Sequence, residues 1–459
     1  EVCEDHAMWD GRVGKRRSDV VYVVLVTVVF VGVAMGTRFV HVSDFHFDPL
    51  YSPSAGADSF CRGGAPGSFH HAGHEREARR RAVLRDASAG GGSYGTYGCD
   101  APATLVSSAI ETIANFSNIT FILVSGDSAA HNLPARDKLP AIQEVTAQFE
   151  QAVAPDVQIL FAVGNNDVEE DYTVACGDPW LAGLASVWNE SIPADQRATF
   201  LRMGAYAADV QDNLEVLVLN TVLYSRKHRP DYSGQSDPCG QFRWMREQLA
   251  EARAQSQDVL VVGHIAPGID SFSYKPTMVD SFSETLLAIL GEYSDVVKGA
   301  FFGHFHQDEI RAFPPGEGRE GATAPVLLAP SVSPIFGNNP EFRVVEYAKE
   351  ARQLINYEVF WRNLYLANSG IGNWTWLYDF VDQYGLAGIT GETLSDLATR
   401  LLVDETTFNE WYRYRGVYAS NAILPPDMGT PAQACLACAQ QTFSTAGLQS
   451  CSSFRCKRP

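Results

Sequence analysis

Five short stretches of the 459-residue chain close an apolar run with a carboxylate, a carboxamide or an imidazole. They are Asp44-Phe-His46, Ser125-Gly-Asp127, Gly164-Asn165, Gly263-His264 and Gly303-His-Phe-His306. A single Gly-Asp or Gly-His pair is an ordinary turn, because Gly and Asp are common turn residues. Five such exits, each behind a buried run, read together as a ligand set. Residues two apart on an extended backbone point the same way, so Asp44 can act with His46 and His304 with His306. Hard oxygens mixed with imidazoles suit a pair of transition-metal ions, zinc above all, with Asp127 as the shared carboxylate. Such a pair suits cleavage of a phosphodiester: the cations withdraw charge from the nonbridging oxygens and let a bound water ionise near neutral pH.

The elements that must carry these residues alternate in type. Strands are expected at 38–44, 121–127, 157–163, 214–219, 259–262, 296–302, 326–329, 342–347 and 353–361. Between them lie amphipathic helices. One follows Asp100, read as its N-cap, with Val106, Ile110 and Ile113 as its stripe. Another spans 139–154 with Ile142, Val145, Phe149 and Val153 on one face, and two more span 241–254 and 281–292. This alternation predicts an α/β fold with its chemistry at strand C-terminal ends. The polar insertion from 52 to 98, with His70, His71 and His74, reads as a solvated loop. From about 363 the aromatics Trp374, Trp376, Tyr378, Phe380, Trp411, Tyr412 and Tyr414 read at helical spacing, as a helical C-terminal subdomain with an aromatic surface able to meet a membrane peripherally.

A formal charge of −19 excludes a nucleic-acid coat, which needs a basic stripe. Lys15, Arg16 and Arg17 precede an uncharged run from Val20 to Met35, which reads as a cleaved secretory signal over residues 1–36, with a signal anchor as the alternative. The mature chain is then expected to start near Thr37. Without Cys3, eight of the nine cysteines remain, an even number suited to an oxidising compartment. Cys61 and Cys99 bound one insertion and are expected to pair. Cys176 with Cys239 follows by elimination, and Cys435, Cys438, Cys451 and Cys456 pair among themselves in one of three ways. Sequons at Asn115, Asn118, Asn189 and Asn373 fit a secreted or lysosomal glycoprotein.

The ordered signals from Asp44 to His306 resemble the calcineurin-like metallophosphoesterases. Within that superfamily the chain resembles the acid sphingomyelinase-like phosphodiesterases. This likeness rests on His41-Val-Ser-Asp-Phe-His-Phe-Asp-Pro-Leu-Tyr51, Tyr97-Gly-Cys-Asp100, Asp237-Pro-Cys-Gly-Gln241, His264-Ile-Ala-Pro-Gly268 and Pro330-Ser-Val-Ser-Pro334. The resemblance implies a β-sandwich flanked by helices over 37–362 and a helical, Cys-rich subdomain over 363–459. It implies one zinc on Asp44, His46, Asp127 and His306, and a second on Asp127, Asn165, His264 and His304. It makes His131 the proton donor to the leaving group. Where the family usually has a second histidine this chain has Asn166, which donates a hydrogen bond but transfers no proton. The implied substrate is a phosphodiester, with a choline-phosphate membrane lipid such as sphingomyelin foremost. Endopolyphosphatase or nucleotide phosphohydrolase activity is the alternative, because Gly164-Asn-Asn-Asp-Val168 also resembles vacuolar endopolyphosphatases. A catalytically silent binding protein on this scaffold is disfavoured, since all seven ligand positions are retained.

Overall fold

The computed structural model describes residues 36–63, 92–313, 323–417 and 424–456. The proposed leader, Cys3 and the loop histidines His70, His71 and His74 lie outside the described residues. One six-stranded sheet contains β1 (Thr37–Val42), β2 (Ile119–Val124), β3 (Gln158–Phe161), β10 (Glu341–Ala348), β11 (Gln353–Arg362) and β12 (Trp374–Asp379). The second contains β4 (Tyr206–Gln211), β5 (Leu214–Val218), β6 (Asp258–Val262), β7 (Val297–Phe302), β8 (Glu309–Arg311) and β9 (Val326–Leu328). The spatial orders are β12-β11-β10-β1-β2-β3 and β4-β5-β6-β7-β9-β8. The strands β1, β2 and β3 are mutually parallel, as are β5, β6, β7 and β9, whereas the strands at the remaining positions pair antiparallel. The central parallel strands read as largely apolar runs because both their faces are covered; every residue of β6 is buried.

The two sheets pack face to face through aromatic side chains. Phe39 of β1 stacks on Phe121 of β2 at 4.6 Å and meets Phe301 of β7 edge-on at 5.5 Å. The Tyr206 hydroxyl joins the sheets by donating to the Phe161 carbonyl at 3.1 Å. Helices α1 (Ala103–Ala114), α2 (Ala135–Ala152), α3 (Pro179–Val187), α4 (Arg197–Met203), α5 (Gln241–Gln255) and α6 (Asp280–Glu292) connect the strands. After β11 come α7 (Leu364–Asn368), α8 (Phe380–Tyr384), α9 (Gly391–Val403), α10 (Glu405–Tyr414), α11 (Pro431–Ala439) and α12 (Thr445–Ser452).

The α/β architecture agrees with the sequence reading, and so does the helical character of the C-terminal region, with one local correction. Residues 374–379 form the edge strand β12 and are not helical. Their aromatics alternate, Trp374-x-Trp376-x-Tyr378, which is the period of a strand. Of the aromatics expected to form a surface there, Tyr378, Phe380 and Trp411 are buried, Trp374, Tyr412 and Tyr414 are half-buried, and Trp376 is 53% exposed. Helix α2 starts at Ala135, four residues before the expected position, and continues through Pro140. The strands β4 and β8 and the helices α3 and α4 arise in segments that carried no clear periodicity. Disulfides join Cys61–Cys99, Cys176–Cys239, Cys435–Cys456 and Cys438–Cys451, so the tail cysteines nest one pair inside the other and clamp α11 to α12.

The C-terminal segments hold the chain just beyond His306. Arg415 donates to Glu309 at 2.6 Å, its carbonyl accepts from the Asp308 amide, and Tyr357 and Tyr378 both donate to the Asp308 carboxylate at 2.8 Å. At the far side of the second sheet, Glu215 of β5 lies opposite Asp209 of β4. Burial, then the charges of Asp209 and Glu251, push its carboxyl from 4.5 up to about 7. A raised acid favours the folded state only while the unfolded chain would also be protonated, so this site loses stability as pH rises from 4.5 through 7. Glu215→Gln is therefore expected to stabilise the protein by about 1–3 kcal/mol at pH 8 and to change little at pH 4. Urea unfolding at both pH values measures this; equal effects at the two pH values would refute it.

Candidate dimetal site

The parallel registers bring the ends of the ligand-bearing strands to one level. Val42 pairs with Val124 and Val124 with Phe161 in the first sheet, and Val262 pairs with Phe301 in the second. The chain then turns sharply beyond three of these strands, β1, β2 and β7. Asp44, His46, Asp127, His304 and His306 all have φ between 44 and 73°. Non-glycine residues rarely adopt this left-handed region, and such strain concentrates at functional sites. Two glycines are required by close approach. A Cβ at Gly164 would lie 2.2 Å from the Asp127 amide, and one at Gly303 would lie 1.9 Å from the Ser43 hydroxyl.

All seven predicted ligands converge between the sheets. Their shortest contacts fall into two groups around Asp127. On one side His46 Nε2 lies 3.1 Å from His306 Nε2 and 3.5 Å from Asp44 Oδ1 and Asp127 Oδ2, and His306 Nε2 lies 3.2 Å from Asp44 Oδ1. On the other, His264 Nε2 lies 3.1 Å from Asp127 Oδ2, 3.1 Å from Asn165 Oδ1 and 3.2 Å from His304 Nδ1. All but His304 are buried.

The donor chemistry fits cations. His264 Nδ1 donates to the Ser125 carbonyl at 2.8 Å and His46 Nδ1 to the Ala129 carbonyl at 3.2 Å. A carbonyl only accepts, so each Nδ1 carries the hydrogen and each neutral ring turns its Nε2 lone pair toward the carboxylates and its neighbouring imidazole. Backbone acceptors of this kind orient metal-binding histidines. Lone pairs and carboxylate oxygens crowded at about 3 Å repel one another unless positive charge lies among them. Without metal that charge is protons. Burial opposes ionisation of Asp127, but the His264 charge outweighs it and holds the carboxyl well below its usual range. The same pair lifts His264 to about 9 against its burial. Metal binding therefore releases protons.

Outer contacts fix this arrangement. Asn166 uses both its donors on Asp127: the backbone amide on Oδ1 and the side-chain Nδ2 on Oδ2, each at 2.7 Å. Asp167 accepts from the amides of Asp127, Ala129 and Gly164, and burial together with the Asp127 charge pushes it up to about 6. His131 stacks on His46 with ring centroids 4.0 Å apart, and it groups with His46 and His306 among nitrogens able to share a cation.

Asp100 is the residue that sequence reasoning misassigned. The N-cap of α1 is Pro102, without a side-chain bond. The Asp100 carboxylate instead accepts from the His131 amide at 2.9 Å and from His131 Nδ1 at 3.0 Å. Burial alone would raise Asp100, but the charge and hydrogen bond of His131 bring it down to about 2. The signal was Tyr97-Gly-Cys-Asp100 itself: a carboxylate tied by a disulfide, followed by a proline that already starts the helix.

A two-sheet α/β sandwich with such a carboxylate-bridged donor set defines a metallophosphoesterase. The calcineurin-like phosphoesterase model matches residues 37–308, and the acid sphingomyelin phosphodiesterase C-terminal region matches residues 323–455. The chain belongs to the calcineurin-like phosphoesterase family, in its sphingomyelin phosphodiesterase-like branch, and is a metal-dependent phosphoric diester hydrolase. It is 33% identical over 415 residues to sphingomyelinase phosphodiesterase D of Dictyostelium discoideum, covering 88% of this chain and 93% of that one. It is 26% identical to the cyclic GMP-AMP phosphodiesterase SMPDL3A of Bos taurus, covering 86% of each chain. It is 25% identical to the acid sphingomyelinase-like phosphodiesterase 3b of Homo sapiens, covering 84% of each.

Proposed function

We propose that this protein is a secreted or lysosomal zinc phosphodiesterase. One zinc is assigned to Asp44, His46, Asp127 and His306, and the other to Asp127, Asn165, His264 and His304. His131 is the proton donor. The observation that supports this most is the pair of carbonyl-locked imidazoles, His46 and His264, whose Nε2 lone pairs converge on carboxylates. Two divalent cations bound there supply positive charge for the phosphoryl oxygens and ease ionisation of the attacking water. Asp127 is the shared ligand, and Asn166 holds its carboxylate in place. Asp100 keeps the His131 ring oriented and stabilises its protonated form, as the carboxylate does behind the imidazole of a Ser-His-Asp triad. His131 Nε2 then donates its proton to the departing oxygen.

The substrate proposed first is a choline-phosphate lipid of the sphingomyelin type, after the name of the Dictyostelium relative. A nucleotide diester is the second reading, supported by one feature of the rim. The Lys227 ammonium lies 5.2 Å over the Tyr172 ring, whose hydroxyl is 3.5 Å from His304 Nε2. A cation held beside the centre suits a substrate with more than one phosphate. Polyphosphate is a third substrate for the same site. Secretion is supported by four disulfides and by the exposure of all four sequon asparagines, Asn115, Asn118, Asn189 and Asn373. No helix among the described residues is long and apolar enough to cross a membrane. Peripheral membrane contact rests on the exposed Tyr365, Ile371 and Trp376.

The test is a hydrolysis panel on protein purified without chelator: sphingomyelin, a cyclic dinucleotide, a nucleoside triphosphate, long-chain polyphosphate and a nitrophenyl diester. Elemental analysis of the same preparation is expected to give two zinc ions per chain. Zero or one metal with all seven ligands intact would overturn the bridged site. Turnover of polyphosphate or triphosphate alone would overturn the lipid assignment.

A further inference from the structure

His131 is held from two sides. Asp100 takes one. On the other, Arg62, only 2% exposed, donates from Nη2 to the His131 carbonyl at 2.8 Å and from Nη1 to the Asn132 carbonyl at 3.3 Å. Its Nε pairs with Asp48 Oδ2 at 2.7 Å. Asp48 is buried in turn; it accepts from the Leu50 amide, and its own amide donates to the Ala101 carbonyl. A guanidinium is the one side chain that offers this rigid planar fork to three acceptors at once. Asn132, the next residue, has φ +53°, so the chain turns sharply just after His131 and presents two successive carbonyls to the guanidinium. Cys61 directly precedes Arg62 and Cys99 directly precedes Asp100, and these two buried cysteines are bonded to each other. The disulfide thus ties together the two residues that hold His131, Asp100 at its amide and ring and Arg62 at its carbonyl.

We propose that Asp48, Arg62 and the Cys61–Cys99 bond form a brace that positions His131 for proton donation and takes no part in holding metal. The proposal rests on the reading of His131 as the proton donor. Arg62 touches no reacting atom; it is a positioning residue, and it acts through the backbone carbonyls of His131 and Asn132. It acts on the step that protonates the leaving group, so its removal shows only where that step matters.

The experiment compares kcat on an alkyl phosphodiester and on bis(4-nitrophenyl) phosphate, using the full chain, with zinc content and melting temperature recorded for each variant. Arg62→Lys keeps a cation for Asp48 but has no planar fork. It is expected to lose about 10-fold or more on the alkyl ester and less than about twofold on the nitrophenyl ester, at unchanged zinc content, because small misplacement of a catalytic group is that costly. Arg62→Gln and the paired Cys61→Ser, Cys99→Ser variant should show the same selectivity; if either fails to fold, Arg62→Lys decides. In a His131→Ala background, Arg62→Lys should have no further effect on the alkyl ester. Equal losses on both esters, or no loss on either, overturn the brace. His131→Ala run alongside separates the two ideas. If it loses equally on both esters, the proton-donor reading fails and the brace with it. If it is selective while Arg62→Lys is not, the brace alone fails.

Discussion

Asp127→Asn is expected to abolish phosphodiester hydrolysis and to empty both metal positions together. Asp127 lies within 3.5 Å of imidazoles from both groups, His46 and His264. The substitution keeps the shape and one acceptor oxygen while removing the charge that two cations would share. The Asn166 amide donor then also faces a neutral carboxamide. A metal's charge contributes several kcal/mol to the transition state. At 1.36 kcal/mol per factor of ten, a loss of about 4 kcal/mol is a fall of about 10³-fold. Elemental analysis should drop below one zinc per chain, and added zinc should no longer raise the melting temperature, since a ligand stabilises only the state that binds it. Retention of two zinc ions by the variant would refute the bridging role.

His131→Ala is expected to slow cleavage of a lipid or alkyl phosphodiester by about 10²–10⁴-fold, the usual contribution of a general acid. The same change should have little effect on a nitrophenyl diester, and zinc content should stay at two. An alkoxide needs a proton as it leaves, whereas a nitrophenolate leaves without one. The other candidate donor position is Asn166, and its side-chain amide is engaged with Asp127 at 2.7 Å. The whole demand for a proton therefore falls on His131, held against Asp100. Equal losses on the two esters would make His131 a positioning or binding group; loss of zinc would make it a ligand, as its grouping with His46 and His306 allows.

Much of this protein is legible in its sequence, because local chemistry repeats. Buried parallel strands are covered on both faces, so β1, β2, β6 and β7 stand out as short, largely apolar runs, and the residues that follow them are recognisable as donors. Period 3.6 located α2, α5 and α6. Cys61 and Cys99 pair across the one insertion they enclose. Short edge elements such as β8, three residues long, carry too few positions for a period to show. In β12 the aromatic-rich sequence satisfies both a strand and a helix, and only pairing with β11 selects the strand.

The sequence alone determined which residue types are available as donors and in what order along the chain. It did not determine which atoms meet. That His46 and His264 turn Nε2 inward depends on the carbonyls of Ala129 and Ser125, both supplied by the segment around Asp127 and far away in sequence from either ring. That Asp100 serves His131 and caps no helix depends on where the loop after β2 passes. The order of the tail disulfides, Cys435 with Cys456 and Cys438 with Cys451, depends on α11 and α12 packing antiparallel. These contacts join residues from 13 to 139 positions apart. Their geometry comes from how the sheets stack and the chain exits each strand, and no local pattern of residues encodes it.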